Sequence, residues 1–281
     1  MNYTRTIIVF LLFLLPFFSF SQTFEVGLIG GISTYEGDLS PSNGRVNIGK
    51  INPMGGIFAR YNFNNYITLR AGGNFGIVAA AQDPDKDVRN LSFRSRVIEG
   101  HLVGEINILG YEPYNLEKPW SPYIFGGVAF FNFNPQAEFQ DEWVDLQPLG
   151  TEGQGLSQYP DRDKYKLTEF SIPLGMGVKY ALSDTWNIGI EVGVRKTFTD
   201  YLDDASTTYV ENNLLLEQSE LAAALADRSI EPRPTGSRRG NPDNDDWYVF
   251  TGITISKNFI DNGLVGSRRR GRRSKTGCPT F

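Results

Sequence analysis

The stretch Trp186–Phe198, WNIGIEVGVRKTF, decides the fold because its side chains alternate in character with a period of two. One face carries large apolar side chains, at Trp186, Ile188, Ile190, Val192 and Val194. The other face carries asparagine, glycines, Glu191 and Arg195. Successive side chains of a β-strand point to opposite faces, so this stretch is predicted to be a strand between an apolar and a polar environment.

The same alternation recurs in seven further segments of a chain that contains 30 Gly, 20 Phe and 13 Tyr among 281 residues. Most of these segments are longer than the five or six residues of a common soluble strand, and they match the roughly 9 to 11 residues that cross a bilayer at a tilt. The sequence therefore predicts eight strands. The seven others are Phe24–Tyr35, Pro53–Phe63, Ile67–Ala80, Phe93–Leu109, Tyr123–Phe133, Thr168–Ala181 and Trp247–Phe259.

The connections between these segments alternate in length. Compact turns follow the second, fourth and sixth strands, whereas longer polar loops follow the first, third, fifth and seventh. This pattern is typical of an outer-membrane barrel, with turns in the periplasm and loops outside. We therefore predict an all-β fold, an eight-stranded antiparallel transmembrane β-barrel with long outer loops. A soluble β-sandwich is the alternative. It is disfavoured because the outward faces of the strands are apolar and the inner faces carry charges.

Both ends of the chain lie outside this barrel. Residues 1–21 combine an early Arg5, a short apolar run and small residues at Ser19 and Ser21, which is typical of an export signal peptide. We predict a signal peptide over 1–21, the outer-membrane barrel over 22–259 and a basic tail over 260–281. An even number of strands places both ends on the periplasmic side of the cell outer membrane.

Polar positions on the predicted inner faces form a set of four acids, four bases and one histidine. An eight-stranded barrel has an interior just wide enough for side chains to fill, and an unpaired charge there is costly. We expect a charge-paired lumen and not a pore, although a small channel remains an alternative. The set is Glu25, Arg60, Arg70, Glu99, His101, Glu105, Lys179, Glu191 and Arg195.

His101, between Glu99 and Glu105 on one strand face, invites a catalytic or metal-binding interpretation. A barrel enzyme that modifies lipids would also need a nucleophile or an oriented partner at its outer rim. His101 instead lies in the middle of its strand among charges. We expect a hydrogen-bonded lumen histidine, with no catalytic residue, no cofactor and no metal.

The two longest outer loops are acidic: 134–165 has seven acids against two bases, and 199–246 has eleven against four. Within the second loop, NLLLEQSELAAALADR is predicted to form one short helix that ends before Pro232. Its leucines, Leu214, Leu215, Leu221 and Leu225, either cap the barrel mouth or dock on a partner or on lipid.

The tail reverses the charge of these loops. It contains six bases, Arg268, Arg269, Arg270, Arg272, Arg273 and Lys275, and the single cysteine of the chain, Cys278. Blocks of like charge often serve as interaction arms, and nucleic acid is not expected in the periplasm. We therefore predict that these seven residues bind an acidic protein surface, with an intermolecular disulfide through Cys278. A solvated tail without a partner is the alternative.

Four stretches together resemble the PorG-type outer-membrane proteins of the type IX secretion system. They are GGISTYEGDL at Gly30–Leu39, FTDYLDDASTTY at Phe198–Tyr209, NDDWYVFTGITISKNF at Asn244–Phe259 and the closing CPTF. The resemblance implies a non-enzymatic barrel, embedded in outer-membrane lipid, that anchors the periplasmic ring of the lipoprotein PorK and its partner PorN. It also implies a link to protein secretion and gliding motility. It supplies no individual contact residues.

Overall fold

The computed structural model describes residues 23–40, 51–82, 87–111, 119–183 and 185–259. Two short α-helices, α1 (Asn212–Gln218) and α2 (Glu220–Ala226), lie between the last two strands of this part. A 3-10 turn covers Gln147–Leu149. The strands are β1 (Thr23–Glu36), β2 (Asn52–Asn62), β3 (Ile67–Ala81), β4 (Ser92–Asn107), β5 (Trp120–Phe139), β6 (Glu142–Asp145), β7 (Thr168–Ala181), β8 (Trp186–Thr197) and β9 (Trp247–Phe259).

Eight of these strands close into a barrel. The sheet follows the order β4-β3-β2-β1-β9-β8-β7-β5, and β4 also pairs with β5, so that the sheet has no open edge along the wall. Every pairing is antiparallel, and β1 contacts the last strand through Phe24 and Phe259. The predicted closed eight-stranded antiparallel barrel is confirmed, with strand bounds close to those expected except at β5.

β5 continues past the barrel wall and forms a hairpin with β6, which the sequence did not reveal. Pairing with β7 ends at Asn132, and β5 then pairs with β6 from Gln136 to Phe139. The two turn residues, Gln140 and Asp141, have φ values of 52° and 66°. Positive φ at both turn residues matches the right-handed twist of the two strands of a hairpin. The sequence Gln-Asp, however, lacks the Asn-Gly or Asp-Gly pair by which such turns are recognised in a sequence.

Large apolar side chains cover the outside of the barrel. Leu28, Ile57, Phe130 and Met176, from four different strands, are each more than 60% exposed. The residues that alternate with them point into the lumen and are mostly buried. An apolar outer band around a polar interior is the arrangement of a membrane-spanning barrel. Among the described residues, no helix is long and apolar enough to cross a membrane.

The barrel has two different rims. β1 begins and β9 ends at the rim where Phe24 pairs with Phe259, and we call this the short-turn rim. The described parts of the loops 37–51, 82–91, 140–167 and 198–246 leave the opposite rim, which we call the long-loop rim. The predicted signal peptide and basic tail lie outside the described residues. The chain reaches the tail directly after Phe259, at the short-turn rim.

Candidate functional site: the lumen and the outer cap

Glu105 is the centre of a charged tier in the half of the lumen nearer the short-turn rim. Arg60 and Arg70 occupy directly paired positions on β2 and β3, where two like charges would repel each other. Glu105 Oε1 resolves this conflict, because it lies 3.0 Å from Arg60 Nε and 3.2 Å from Arg70 Nε. Its other oxygen accepts a hydrogen bond from Lys179.

Two further acids complete this tier. Glu25 Oε1 lies 2.8 Å from Arg60 Nη1. Arg70 reaches across the lumen from β3 to β8, where its Nη2 lies 3.1 Å from Glu191 Oε1. The hydroxyl of Tyr123 donates to Glu191 Oε2 at 2.6 Å. The tier therefore connects opposite walls of the barrel.

A second tier, nearer the long-loop rim, is organised by Glu99. Arg195 Nε lies 3.0 Å from Glu99 Oε2, and the hydroxyl of Tyr248 donates to the same oxygen at 2.9 Å. Glu99 Oε1 accepts from the amide of Asn74 at 2.8 Å and lies 3.1 Å from His101 Nδ1. His101 therefore has a carboxylate and an amide as neighbours. No group of three or more His, Cys, Asp or Glu side chains in the described ranges is arranged to hold a metal ion.

The structure thus brings all nine predicted lumen residues together, and aromatic rings fill the space between them. The eight acids and bases of the set are each at most 4% exposed. Arg60 lies over the ring of Phe58 at 4.3 Å, and Arg195 lies over Phe250 at 4.5 Å. Because charged groups meet across the lumen and rings occupy the rest, the arrangement favours a closed barrel over a channel.

An apolar plug lies above the charged tiers. Leu39, Leu202 and Ala205 come from the outer loops, and each is at most 2% exposed. They pack in one cluster with inward-facing strand residues that include Phe133 and Phe250. The alternation pattern predicted only the strand members of this plug, since a loop residue that packs into a lumen carries no periodic signal.

Arg239 holds the two long acidic loops together above the plug. Its guanidinium is buried, with Nη1 3.1 Å from Glu152 Oε1 and Nη2 3.3 Å from Asp204 Oδ2. Glu152 also accepts hydrogen bonds from the backbone of Ser206 at 2.9 Å and Thr207 at 3.1 Å. We call the described part of the loops 140–167 and 198–246 the outer cap. Some of the acidic residues of the outer cap are therefore buried, where they form the contacts that hold its loops together.

A second joint of the outer cap is made of acids and one tyrosine. The Tyr35 hydroxyl lies 2.6 Å from Asp203 Oδ2 and 2.6 Å from Asp246 Oδ1. A phenol carries one proton, so one of these two carboxyls must itself be protonated to donate to it. Burial raises the pKa of both carboxyls, which favours this state. Burial, with the charges of Asp38 and Asp203, also raises the pKa of the neighbouring Asp200 to about 9.

The helical segment of the outer cap differs from the predicted single helix. Ser219, with φ −165° and ψ 127°, interrupts it and separates α1 from α2. The Ser219 side chain accepts from the backbone of Ala222 and caps α2, which a mid-helix serine does readily. Leu215 and Leu225 are each 1% exposed and pack inside the cap, in agreement with the capping alternative.

Three of the stretches that carry the family resemblance meet at the joint formed by Tyr35 and the acids. Tyr35 comes from the first stretch, Asp200 and Asp203 from the second, and Asp246 from the third. Sequence reasoning did not select these residues as a site, because each lies in a loop or at a strand end.

The predicted partner-binding residues, Arg268, Arg269, Arg270, Arg272, Arg273, Lys275 and Cys278, lie outside the described residues.

Comparison with known proteins identifies a family and several structures of the same fold. The family model described as "Domain of unknown function (DUF6089)" matches residues 4–218. No curated protein matches the chain. The Yersinia pestis attachment invasion locus protein Ail, solved with the heparin analogue sucrose octasulfate, is 8% identical, with a TM-score of 0.41 over 85% of this chain and 99% of Ail. Neisserial surface protein A is 8% identical, with a TM-score of 0.39 over 84% of this chain and 96% of that protein. These likenesses concern the fold alone.

Proposed function

The chain belongs to the DUF6089 family, and we propose that it is a non-enzymatic outer-membrane barrel that anchors a periplasmic assembly of the type IX secretion system. In this proposal the barrel wall fixes the position in the membrane. The short-turn rim and the basic tail bind the ring of PorK and PorN. The function is mechanical attachment in protein secretion and gliding motility.

The observation that carries the proposal is the filled lumen. Arg70 and Glu191 meet from opposite walls, and the acids and bases of both tiers are paired and buried. A barrel built in this way offers no wide path for solutes, so partners can bind at its two ends but not pass through its interior. This supports a binding role in preference to transport.

The course of the chain supports the choice of end. The outer cap uses buried carboxylates as internal joints, through Glu152, Asp204 and Arg239. The short-turn rim, by contrast, is where the chain leaves the barrel at Phe259 and enters the segment with six bases and Cys278. Such a segment at the membrane surface suits an acidic partner, since opposite charges accelerate encounter and a disulfide makes the attachment covalent.

The test is a non-reducing purification of the full chain from the outer membranes of cells that contain the secretion system. Wild type is compared with Cys278→Ser and with a variant in which Arg268, Arg269, Arg270, Arg272 and Arg273 become glutamine. A matched variant with lysine at these five positions keeps the charge. We expect PorK to be recovered as a reducible adduct with wild type and with the lysine variant.

Cys278→Ser should abolish the adduct, and the glutamine variant should reduce recovery of the ring at least tenfold. Equal recovery of the ring from all four proteins would refute the role of the tail. Absence of the chain from the outer-membrane fraction would refute the proposed location.

A further inference from the structure

β4 carries two arginines on the membrane-facing side of the barrel, at Arg94 and Arg96. They alternate with Phe93, Ser95 and Val97, which are each at most 3% exposed and face the lumen. Arg94 and Arg96 therefore point outward from the same strand, with Cα atoms about 7 Å apart. Among the described strands, the other outward-facing bases, Lys196 and Lys257, stand singly beside aromatic rings.

The arginine pair lies directly at the edge of the apolar band. Ile98, the next outward-facing residue along β4, is 58% exposed, and Phe75, which pairs with Ile98 on β3, is 47% exposed. Phe130, which pairs with the following outward position on β4, is 65% exposed. Arg96 is thus the first charged position above the apolar band on the side of the long-loop rim. Phosphates of membrane lipids lie at this boundary.

Arg94 is held in place by its neighbours, whereas Arg96 is free to bind. Arg94 Nε donates to Gln136 Oε1 at 3.1 Å, and its guanidinium stacks on the Trp143 ring at 3.6 Å. Arg96 is exposed, and neither arginine forms a salt bridge with any described residue. The positive charges of Arg94 and Arg96 repel each other at this spacing. An anion bound by both guanidinium groups would offset this repulsion.

Two acids, Asp145 and Glu138, lie near this pair. The carboxylate of Asp145 on β6 accepts from the amides of Asn134 at 2.9 Å and Gln136 at 2.6 Å. Glu138 lies two residues beyond Gln136, the β5 partner of Arg94, and its charge acts on Arg94, whereas Arg96 pairs with Asn134, about 13 Å back along β5 at about 3.3 Å per residue. Both acids belong to the projecting hairpin that Arg94 contacts through Gln136 and Trp143, whereas Arg96 faces the membrane boundary below this hairpin.

We infer that Arg94 and Arg96 form a binding site for the phosphate of an anionic lipid in the outer leaflet. A guanidinium presents a planar pair of donors that matches phosphate oxygens, and the adjacent Ile98 and Phe75 contact the acyl chains. The inference rests on the membrane location in the proposed function and is independent of the ring. A carboxylate-bearing protein partner fits less well, since the site opens at the apolar band.

The experiment uses the purified full chain in a nonionic detergent, titrated with bis-phosphorylated lipid A and followed by native mass spectrometry. The site variant is Arg94→Gln/Arg96→Gln, and the matched control is Lys257→Gln, an outward-facing base near the other rim. We expect bis-phosphorylated lipid A to bind wild type and the control at least tenfold more tightly than the site variant. Lipid A without phosphates should bind all three proteins equally weakly.

Three results would overturn the inference. The site variant could bind like wild type, or phosphate-free lipid A could bind wild type as tightly as the phosphorylated form. Inorganic phosphate at millimolar concentration could also displace the lipid completely, which would indicate a site for free phosphate. Heat-modifiable migration in gel electrophoresis verifies that each variant is folded. Recovery of the ring with the same variants reports on the anchoring role separately.

Discussion

Arg70 on β3 and Glu191 on β8 meet across the full width of the barrel, with Nη2 and Oε1 3.1 Å apart. Three strands separate β3 from β8 around the wall in either direction. The contact therefore ties together two walls that share no backbone hydrogen bonds. Tyr248 and Glu99, which also lie on opposite strands, form a second contact of this kind. The side chains in the lumen therefore help to hold the barrel together.

Removal of one partner of this pair should destabilise the barrel strongly. Arg70→Met leaves Glu191 without its cation in a buried site, for which the cost is about 3–5 kcal/mol. The double variant Arg70→Met/Glu191→Leu should recover much of that loss, because it leaves no unpaired charge at these two positions. Urea unfolding of the refolded barrel in lipid vesicles measures both free energies. A single variant as stable as wild type would contradict the network.

The filled lumen also predicts that the barrel does not conduct ions. Wild type reconstituted in a planar bilayer should give no discrete conductance steps, because paired charges and rings such as Phe58 and Phe125 occupy the interior. A porin of 16 strands, reconstituted in the same way, serves as the positive control. Reproducible steps from the folded wild type would favour the channel alternative.

The strands and the lumen set were predictable because both depend on a period of two. The alternation places Glu105, Arg60 and Arg70 on inner faces without knowledge of strand register, and charge balance then requires them to pair. The outer cap was not predictable in the same way. Its joints connect residues far apart in the chain, such as Glu152 and Arg239 at 87 positions, and depend on loop conformations that no periodicity encodes.

The acidic joint of the outer cap should weaken as pH rises. The pKa of Asp200 is raised from its ordinary value of 3.8 to about 9, and those of Asp203 and Asp246 are also raised. The folded cap therefore binds more protons than the unfolded chain. Its stabilisation is complete below about pH 4 and is lost as pH rises toward about 9.

Limited proteolysis of the loop 198–246 between pH 5 and pH 9 measures this effect, with a protease active across the range. Cleavage should increase with pH in wild type, while the strands remain intact. The variant Asp200→Asn should flatten the dependence, since the amide does not titrate. A rate of cleavage in wild type that falls as pH rises would contradict the assigned sign.

Gly37 should not tolerate a side chain. An added Cβ would lie 1.9 Å from Asp246 Oδ1 and 2.1 Å from the Tyr35 hydroxyl, inside the acidic joint. Gly37→Ala should therefore open the outer cap, at a cost of about 1–3 kcal/mol, as overpacking generally does. Proteolysis of the cap is the measurement. Gly30→Ala is the matched control, because no atom lies within 4 Å of its added Cβ, and equal protection of both variants would refute the joint.

Arg239 should be essential for the outer cap and dispensable for the barrel. Arg239→Gln leaves Glu152 and Asp204 buried beside each other without a cation, so the loops 140–167 and 198–246 should separate. Arg238→Gln is the matched control, because that side chain is exposed and its guanidinium bonds only to the backbone of Gly240 among the described residues. Hydrogen exchange should show faster exchange in both loops of Arg239→Gln and unchanged strands. Protection of the loops equal to that of Arg238→Gln would show that apolar packing around Leu202 holds the cap without the buried arginine.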